Sequence, residues 1–229
     1  MRPKKRKTYI ELIRIRRAQM IDIMKVFINK VINSLFRKKR HIKLGLYGPP
    51  NSGKTTLANR ICQDWLGEDM GNVSNIPHET REIQTKEQIN IKSGKKELTF
   101  NLVDTPGIAT RIDYEDFIKA GLNQKESKKR AKEATKGVIE AIKWLDEMDV
   151  VIVVLDATRD PYSQVNITII GNLQARKIPV LIVANKVDLK KSKVKKIKDS
   201  FPQYGVVGIS AKFGQNIDEF YEGLFSTAR

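Results

Sequence analysis

Cysteine is almost absent. Cys62 is the only one in 229 residues, so no intramolecular disulfide can form and a reducing, cytosolic compartment fits. Long apolar runs are absent as well. No stretch approaches the ~18 uninterrupted apolar residues that a spanning helix needs. The basic amino terminus is not followed by a continuous apolar segment with a small-residue cleavage site, so a signal peptide is not expected. Aromatic residues are scarce at 7%, and few interleave with the lysine clusters. Sequence-specific reading of single strands, which needs stacking platforms, is therefore not expected. No internal repeat or low-complexity tract appears.

Charge, by contrast, is plentiful and lopsided. Residues 1–41 hold 14 of the 43 Lys and Arg but 2 of the 26 Asp and Glu, a net +12 out of +17 overall. Such asymmetry suggests a polyanionic partner for that end, whether RNA, DNA or an anionic membrane; the alternative is a solvated tail that only aids solubility. Residues 1–8 read as a disordered basic arm. Residues 9–36 read as an amphipathic helix: Met20, Met24, Phe27, Val31 and Leu35 recur at steps of three and four, and Ile21, Ile28 and Ile32 widen the stripe. That face could lie on a membrane surface, dock on a partner, pair with itself or pack on its own domain. The chain thus divides into a basic arm and helix, 1–40, and a larger domain, 41–229.

From His41 onward the pattern alternates α and β. Strands are expected at about 42–47, 87–91, 98–103, 150–155, 180–183 and 206–209. Ser93-Gly94-Lys95-Lys96 reads as a hairpin turn. Val150–Leu155 is continuously apolar, as in a strand covered on both faces. Helices are expected after Thr55, at about 131–147, near 163–176, at Lys190–Phe201 and at Asn216–Leu224. Residues 108–130 read as charged and irregular. The succession predicts an α/β fold: a mostly parallel sheet with helices on both faces.

The chemistry centres on Leu46 to Thr56, which contains Gly48-Pro49-Pro50-Asn51-Ser52-Gly53-Lys54-Thr55. This G-x-x-x-x-G-K-T turn lies between a strand and a helix. Glycines let consecutive backbone N–H groups converge on phosphate oxygens, and the helix points its positive end at the same anion. Lys54 would reach the β- and γ-phosphates, and the Thr55 hydroxyl would bind Mg²⁺. Gly48, Ser52 and Thr56 complete the cradle.

Further turns make the reading specific. Asp104-Thr105-Pro106-Gly107 follows a strand; Asp104 can hold the Mg²⁺ shell, and the Gly107 N–H can approach a γ-phosphate. Thr80, with Thr85 as competitor, could give its hydroxyl to Mg²⁺. Asn185-Lys186-Val187-Asp188 suits a guanine base. The Asp188 carboxylate can accept from the guanine N1–H and 2-amino group, which adenine lacks, and an unpaired desolvated carboxylate is costly. Asn185 would bond the base edge and the loop, and the Lys186 stem would cover the ring. In Ser210-Ala211-Lys212, the Ala211 N–H would face the guanine carbonyl oxygen.

These five turns, in this order, resemble a translation-factor-class P-loop GTPase, closest to the Era-like group, over about residues 41–227. The resemblance implies a six-stranded sheet, GTP/GDP and Mg²⁺ as ligands, slow hydrolysis and an on–off switch read by a partner. Lys54, Thr80, Gly107 and Asn51 are then the residues expected to serve catalysis. Ile108 stands where Ras-like members carry a water-orienting glutamine. Asn51 matches an asparagine that in several Era-like relatives helps bind K⁺; otherwise it braces the loop. The carboxy-terminal KH domain of Era is expected to be lacking, the segment from Gly107 to Val150 is long, and Glu79 replaces a second threonine. The expected function is a GTP-hydrolysing switch on an RNA-containing assembly such as the small ribosomal subunit. The alternatives are a membrane- or protein-docking regulatory GTPase, cytoplasmic but peripheral to a membrane, and a nucleotide-stabilised binding module that scarcely turns over.

Overall fold

The structure is a computed structural model that describes residues 42–71, 82–94, 96–109 and 114–228, all within the unit His41–Arg229. The expected basic arm, the helix over 9–36, Glu79 and Thr80 lie outside the described residues.

The described residues form a six-stranded sheet. Its strands are β1 (Ile42–Tyr47), β2 (Gln84–Ser93), β3 (Lys96–Asp104), β4 (Val150–Asp156), β5 (Val180–Asn185) and β6 (Gly205–Ile209), in the order β2-β3-β1-β4-β5-β6. Only β2 runs antiparallel, as the outer arm of a hairpin with β3. The central strands are apolar throughout because both their faces are covered. All seven residues of β4 and all six of β5 are buried.

Side chains that alternate along β4 feed two cores. Ile152 and Val154 pack with Leu57 and Ile61 of α1 (Lys54–Leu66) and with Phe220 and Leu224 of α6 (Ile217–Thr227). Val151, Val153 and Leu155 pack on the other face with Ala141 of α3 (Gln124–Trp144) and with Ile169 and Leu173 of α4 (Gln164–Ala175). The chain first leaves β1 toward β3 and later returns to β1's other side as β4. The crevice at that reversal is where open α/β sheets bind ligands.

Three expectations change. The stretch 108–130 is not irregular throughout: α2 (Tyr114–Lys119) and the first turns of α3 lie in it. Asn123 caps α3 by accepting the Glu126 N–H at 2.9 Å. The buried face of α3 is built from Ser127, Ala134, Gly137 and Ala141. Residues so small give almost no apolar periodicity, so the helix start was illegible. Conversely, the basic helix is short: α5 spans Val194–Ser200. Before it, backbone turns link Leu189 to Lys186 and Ser192 to Leu189, and Lys193 N–H donates to Ala157 O at 2.8 Å. Finally, β2 begins at Gln84, before the expected start at 87, and a bulge between Lys86 and Ile89 breaks the alternation that would mark the earlier residues. Gln88 sits at φ 57° and gives its N–H to Asn101 Oδ1 at 2.9 Å.

Candidate functional site

Parallel register lines up the site at the carboxyl ends of the strands. Leu46 pairs with Asp104, Asp156 with Asn185, and Asn185 with Ile209. The phosphate loop and the turns that begin at Asp104, Asn185 and Ser210 therefore leave the same edge of the sheet.

The phosphate loop follows β1 and hands over to α1 at Gly53, which has a left-handed backbone (φ 96°). A side chain there would also run into Asn185 Nδ2, so glycine is required on both counts. Lys54 is buried and donates to the loop's own carbonyls, Gly48 O at 3.3 Å and Pro49 O at 3.1 Å. Burial lowers its pKa to about 8, against the pull of Asp104. The Ser52 hydroxyl is buried with no hydrogen-bond partner among the described residues. An unsatisfied donor in a phosphate cradle fits an anion.

The metal candidates come together. Thr55 Oγ1 donates to Asp104 Oδ2 at 2.7 Å. Asp104 is fully buried, its Oδ1 has no hydrogen-bond partner among the described residues, and burial raises its pKa despite Lys54 and Thr55. A bare buried carboxylate oxygen beside a threonine hydroxyl is a hard oxygen pair that suits Mg²⁺. Gly107 packs on the phosphate loop, where a Cβ would stand 2.8 Å from Pro50 Cα. The next N–H, of Ile108, donates to Gly48 O at 3.1 Å, and the Ile108 side chain is buried.

The base-side residues are tied to that loop. Asn185 Nδ2 donates to Ser52 O at 2.9 Å, and Asn185 Oδ1 accepts the Ala211 N–H at 3.0 Å. One amide thus clamps the phosphate loop to the Ser210–Lys212 turn, and a carbonyl placed there would share the Ala211 N–H with Asn185 Oδ1 or displace that oxygen from it. Lys186, at φ 71°, donates at 2.7 Å both to Asn51 O and to Asp156 Oδ2. Asp188 is exposed next to it. Ser210 is fully buried, and its Oγ accepts the Phe213 N–H at 3.3 Å. Thr56, on the first turn of α1, is half-buried.

Two residues escaped the sequence reading. Asp156 ends β4 and gathers Lys186, the Thr158 N–H at 2.9 Å and the Thr158 hydroxyl at 2.6 Å. Burial pushes its carboxyl upward, but Lys186 and Thr158 outweigh that and hold it below the usual range. The signal was present: like Asp104, it is an acid ending an apolar run. Arg60 reaches the carbonyls of Ala211 and Lys212, and no motif announced it.

The profile of the family described as 50S ribosome-binding GTPase matches residues 43–186. The chain belongs to this family. Among curated relatives, the chain is 30% identical over 205 residues to GTPase Der of Marinomonas sp. (strain MWYL1), covering 85% of this chain and 40% of that one. It is 28% identical over 188 residues to the tRNA modification GTPase MnmE of Thermotoga sp. (strain RQ2), covering 81% and 35%. The chain therefore spans about two fifths of the length of the curated relatives it matches. Among solved structures, Era in complex with MgGDPNP and nucleotides 1506–1542 of 16S ribosomal RNA is similar at TM-score 0.60 and 25% identity, over 82% of this chain and 57% of that one. Aquifex aeolicus Era bound to GDP·AlF4⁻ shares the fold at TM-score 0.60 and 24% identity, over 81% and 56%. Among the described residues, no helix is long and apolar enough to cross a membrane.

Proposed function

We propose that this chain binds Mg²⁺·GTP, hydrolyses it to GDP and phosphate, and so acts as a switch on an RNA-containing assembly such as the small ribosomal subunit. The observation that carries the proposal is the Asn185 amide, which joins the phosphate loop to the Ala211 turn. A base held by one turn and phosphates held by the other are then parts of one ligand.

Within that reading, Lys54 exchanges the Gly48 and Pro49 carbonyls for phosphate oxygens. Being charged then becomes favourable, although burial alone disfavours it. The residues that would hold Mg²⁺ are Thr55, Asp104 through water, and Thr80. When bound, the ion neutralises charge on the β- and γ-phosphate oxygens. Asp188 takes the guanine N1–H and 2-amino group. Gly107 approaches the γ-phosphate closely because it has no side chain, and its loss of that contact on hydrolysis would release the segment leading to α2 and α3. Ile108 has no hydrogen-bonding atom in its side chain, so the attacking water must be oriented by another group. Asn51 is exposed on the phosphate loop with φ 58°, and its resemblance to the asparagine of Era-like relatives is the ground for giving it a part in holding K⁺ beside the phosphates.

The RNA partner is supported by charge and by kinship. The net charge is +17, and Lys125, Lys128, Lys129 and Lys132 are exposed on α3. The Era neighbour was solved with 16S ribosomal RNA. The test is co-sedimentation of full-length protein, loaded with GTP analogue or GDP, with small ribosomal subunits at about 50 and 200 mM salt. Nucleotide-dependent pelleting that weakens with salt is expected. No pelleting in either state, with flotation on anionic liposomes instead, would replace the RNA partner by a membrane. ATP bound as tightly as GTP would remove the guanine reading.

A further inference from the structure

Arg60 lies on α1, six residues beyond Lys54, outside the phosphate loop and outside both base-side turns. Its Nε donates to Ala211 O at 3.3 Å and its Nη2 to Lys212 O at 3.2 Å. The rigid guanidinium fork thus takes two successive carbonyls. On its other flank Nη1 is 3.7 Å from Asp64 Oδ1, and Asp64 Oδ2 accepts the Tyr221 hydroxyl at 2.9 Å. Arg60 is therefore braced by α6 and is not a loose surface cation. The turn it grips closes at once: Gly214 N–H donates to Ser210 O at 2.8 Å, and Gly214 has φ 72°. The guanidinium carbon lies 3.5 Å from where a Cβ of Gly214 would stand.

We infer that Arg60 is a positioning residue for the guanine-carbonyl subsite. A trans peptide is planar, so a carbonyl held on one side points its partner N–H to the other. By fixing Ala211 O, Arg60 aims the Lys212 N–H away from α1. By fixing Lys212 O, it also sets the Phe213 N–H that Ser210 Oγ receives. The Ala211 N–H is already oriented through Asn185. The Lys212 N–H is thereby set before the base arrives, and a preset donor binds without a later ordering cost, whereas the Ala211 N–H would be shared with Asn185 Oδ1. Because Arg60 and Lys54 share one helix, the base-carbonyl subsite and the phosphate site move as one body. The inference rests on the proposal that the Ser210–Lys212 turn meets guanine.

The experiment compares the affinities of GTP, 6-thio-GTP and ITP for wild type, R60A and R60K. 6-Thio-GTP weakens the carbonyl acceptor that the Ala211 turn reads, whereas ITP lacks the 2-amino group that Asp188 reads. R60A is expected to bind GTP about ten-fold more weakly. Its preference for GTP over 6-thio-GTP should fall toward one while its preference over ITP stays unchanged. R60K keeps the charge but not the fork and should lie between; should R60A fail to fold, R60K carries the same comparison. Equal weakening for all three nucleotides, or no change, overturns the inference. A wild type that does not prefer GTP to ATP would instead overturn the guanine reading beneath it.

Discussion

Lys186 Nζ lies 2.7 Å from Asp156 Oδ2. The lysine of the turn proposed to bind the base is thus tied to the end of the neighbouring strand, and the same ammonium holds the Asn51 carbonyl. A single acid, silent in any motif, braces both the turn that would cover the base and the loop that would hold the phosphates.

Asp156→Asn should therefore cost about 1.5–3 kcal/mol, the range for a hydrogen bond to a charged group. That amounts to roughly 3–12 °C in Tm for a domain of this size. The sign with pH follows from the depressed carboxyl. The contribution is complete above about pH 4, the unfolded carboxylate value, and is lost as pH falls through the lower folded value. Melting curves of wild type and D156N should keep a constant gap from about pH 5 to 8, and the gap should close in stronger acid. A gap that instead widens in acid would contradict the assignment.

Asp104→Asn keeps an acceptor for the Thr55 hydroxyl but removes the charge. The variant should need about 10–100-fold more Mg²⁺ to reach the same GTP affinity. Binding in EDTA should change far less. Titrating Mg²⁺ against a fluorescent GTP analogue measures both, and parallel losses with and without metal would exclude a role at the cation.

Gly107→Ala introduces a Cβ 2.8 Å from Pro50 Cα and 2.9 Å from Pro50 N. Both are backbone atoms of a loop stiffened by two prolines, so the loop yields with difficulty. GDP affinity should stay within about three-fold of wild type, because the contact made by Gly107 depends on the γ-phosphate. Hydrogen exchange across α2 and α3 should differ between GDP and GTP-analogue states in wild type and become alike in G107A. Identical exchange in both states of the wild type would dismiss the sensor.

Asn51→Ala tests the potassium proposal. Turnover by wild type should be faster in K⁺ than in Na⁺ by about ten-fold or more, an ordinary scale for one added charge at a phosphoryl site. The variant should lose the difference and keep its GTP affinity. Equal rates in the two salts would assign Asn51 to bracing the loop.

Much of this molecule was legible because its informative residues are local. β4 and β5 declare themselves as uninterrupted apolar runs, and the phosphate loop declares itself by glycine and lysine spacing. What escaped is distant or small. Arg60 meets Ala211 and Lys212 from 151 and 152 residues away, and it meets carbonyls that every residue possesses. The start of α3 hides because alanine, serine and glycine form its buried face. The basic run from Lys190 looked like one helix because lysine favours helices. Yet the backbone turns after Lys186, closed by the Ala157 carbonyl, claim its first residues.

The pairing of Leu46 with Asp104 across β1 and β3 carries one more implication. The carboxylate proposed for the cation is located by sheet register, which is indifferent to most of what lies between α1 and β2. Apart from Thr80, that intervening stretch can therefore change length and sequence for a new clientele while the carboxylate proposed for the metal keeps its place. Recognition can then diverge while the hydrolytic residues stay fixed.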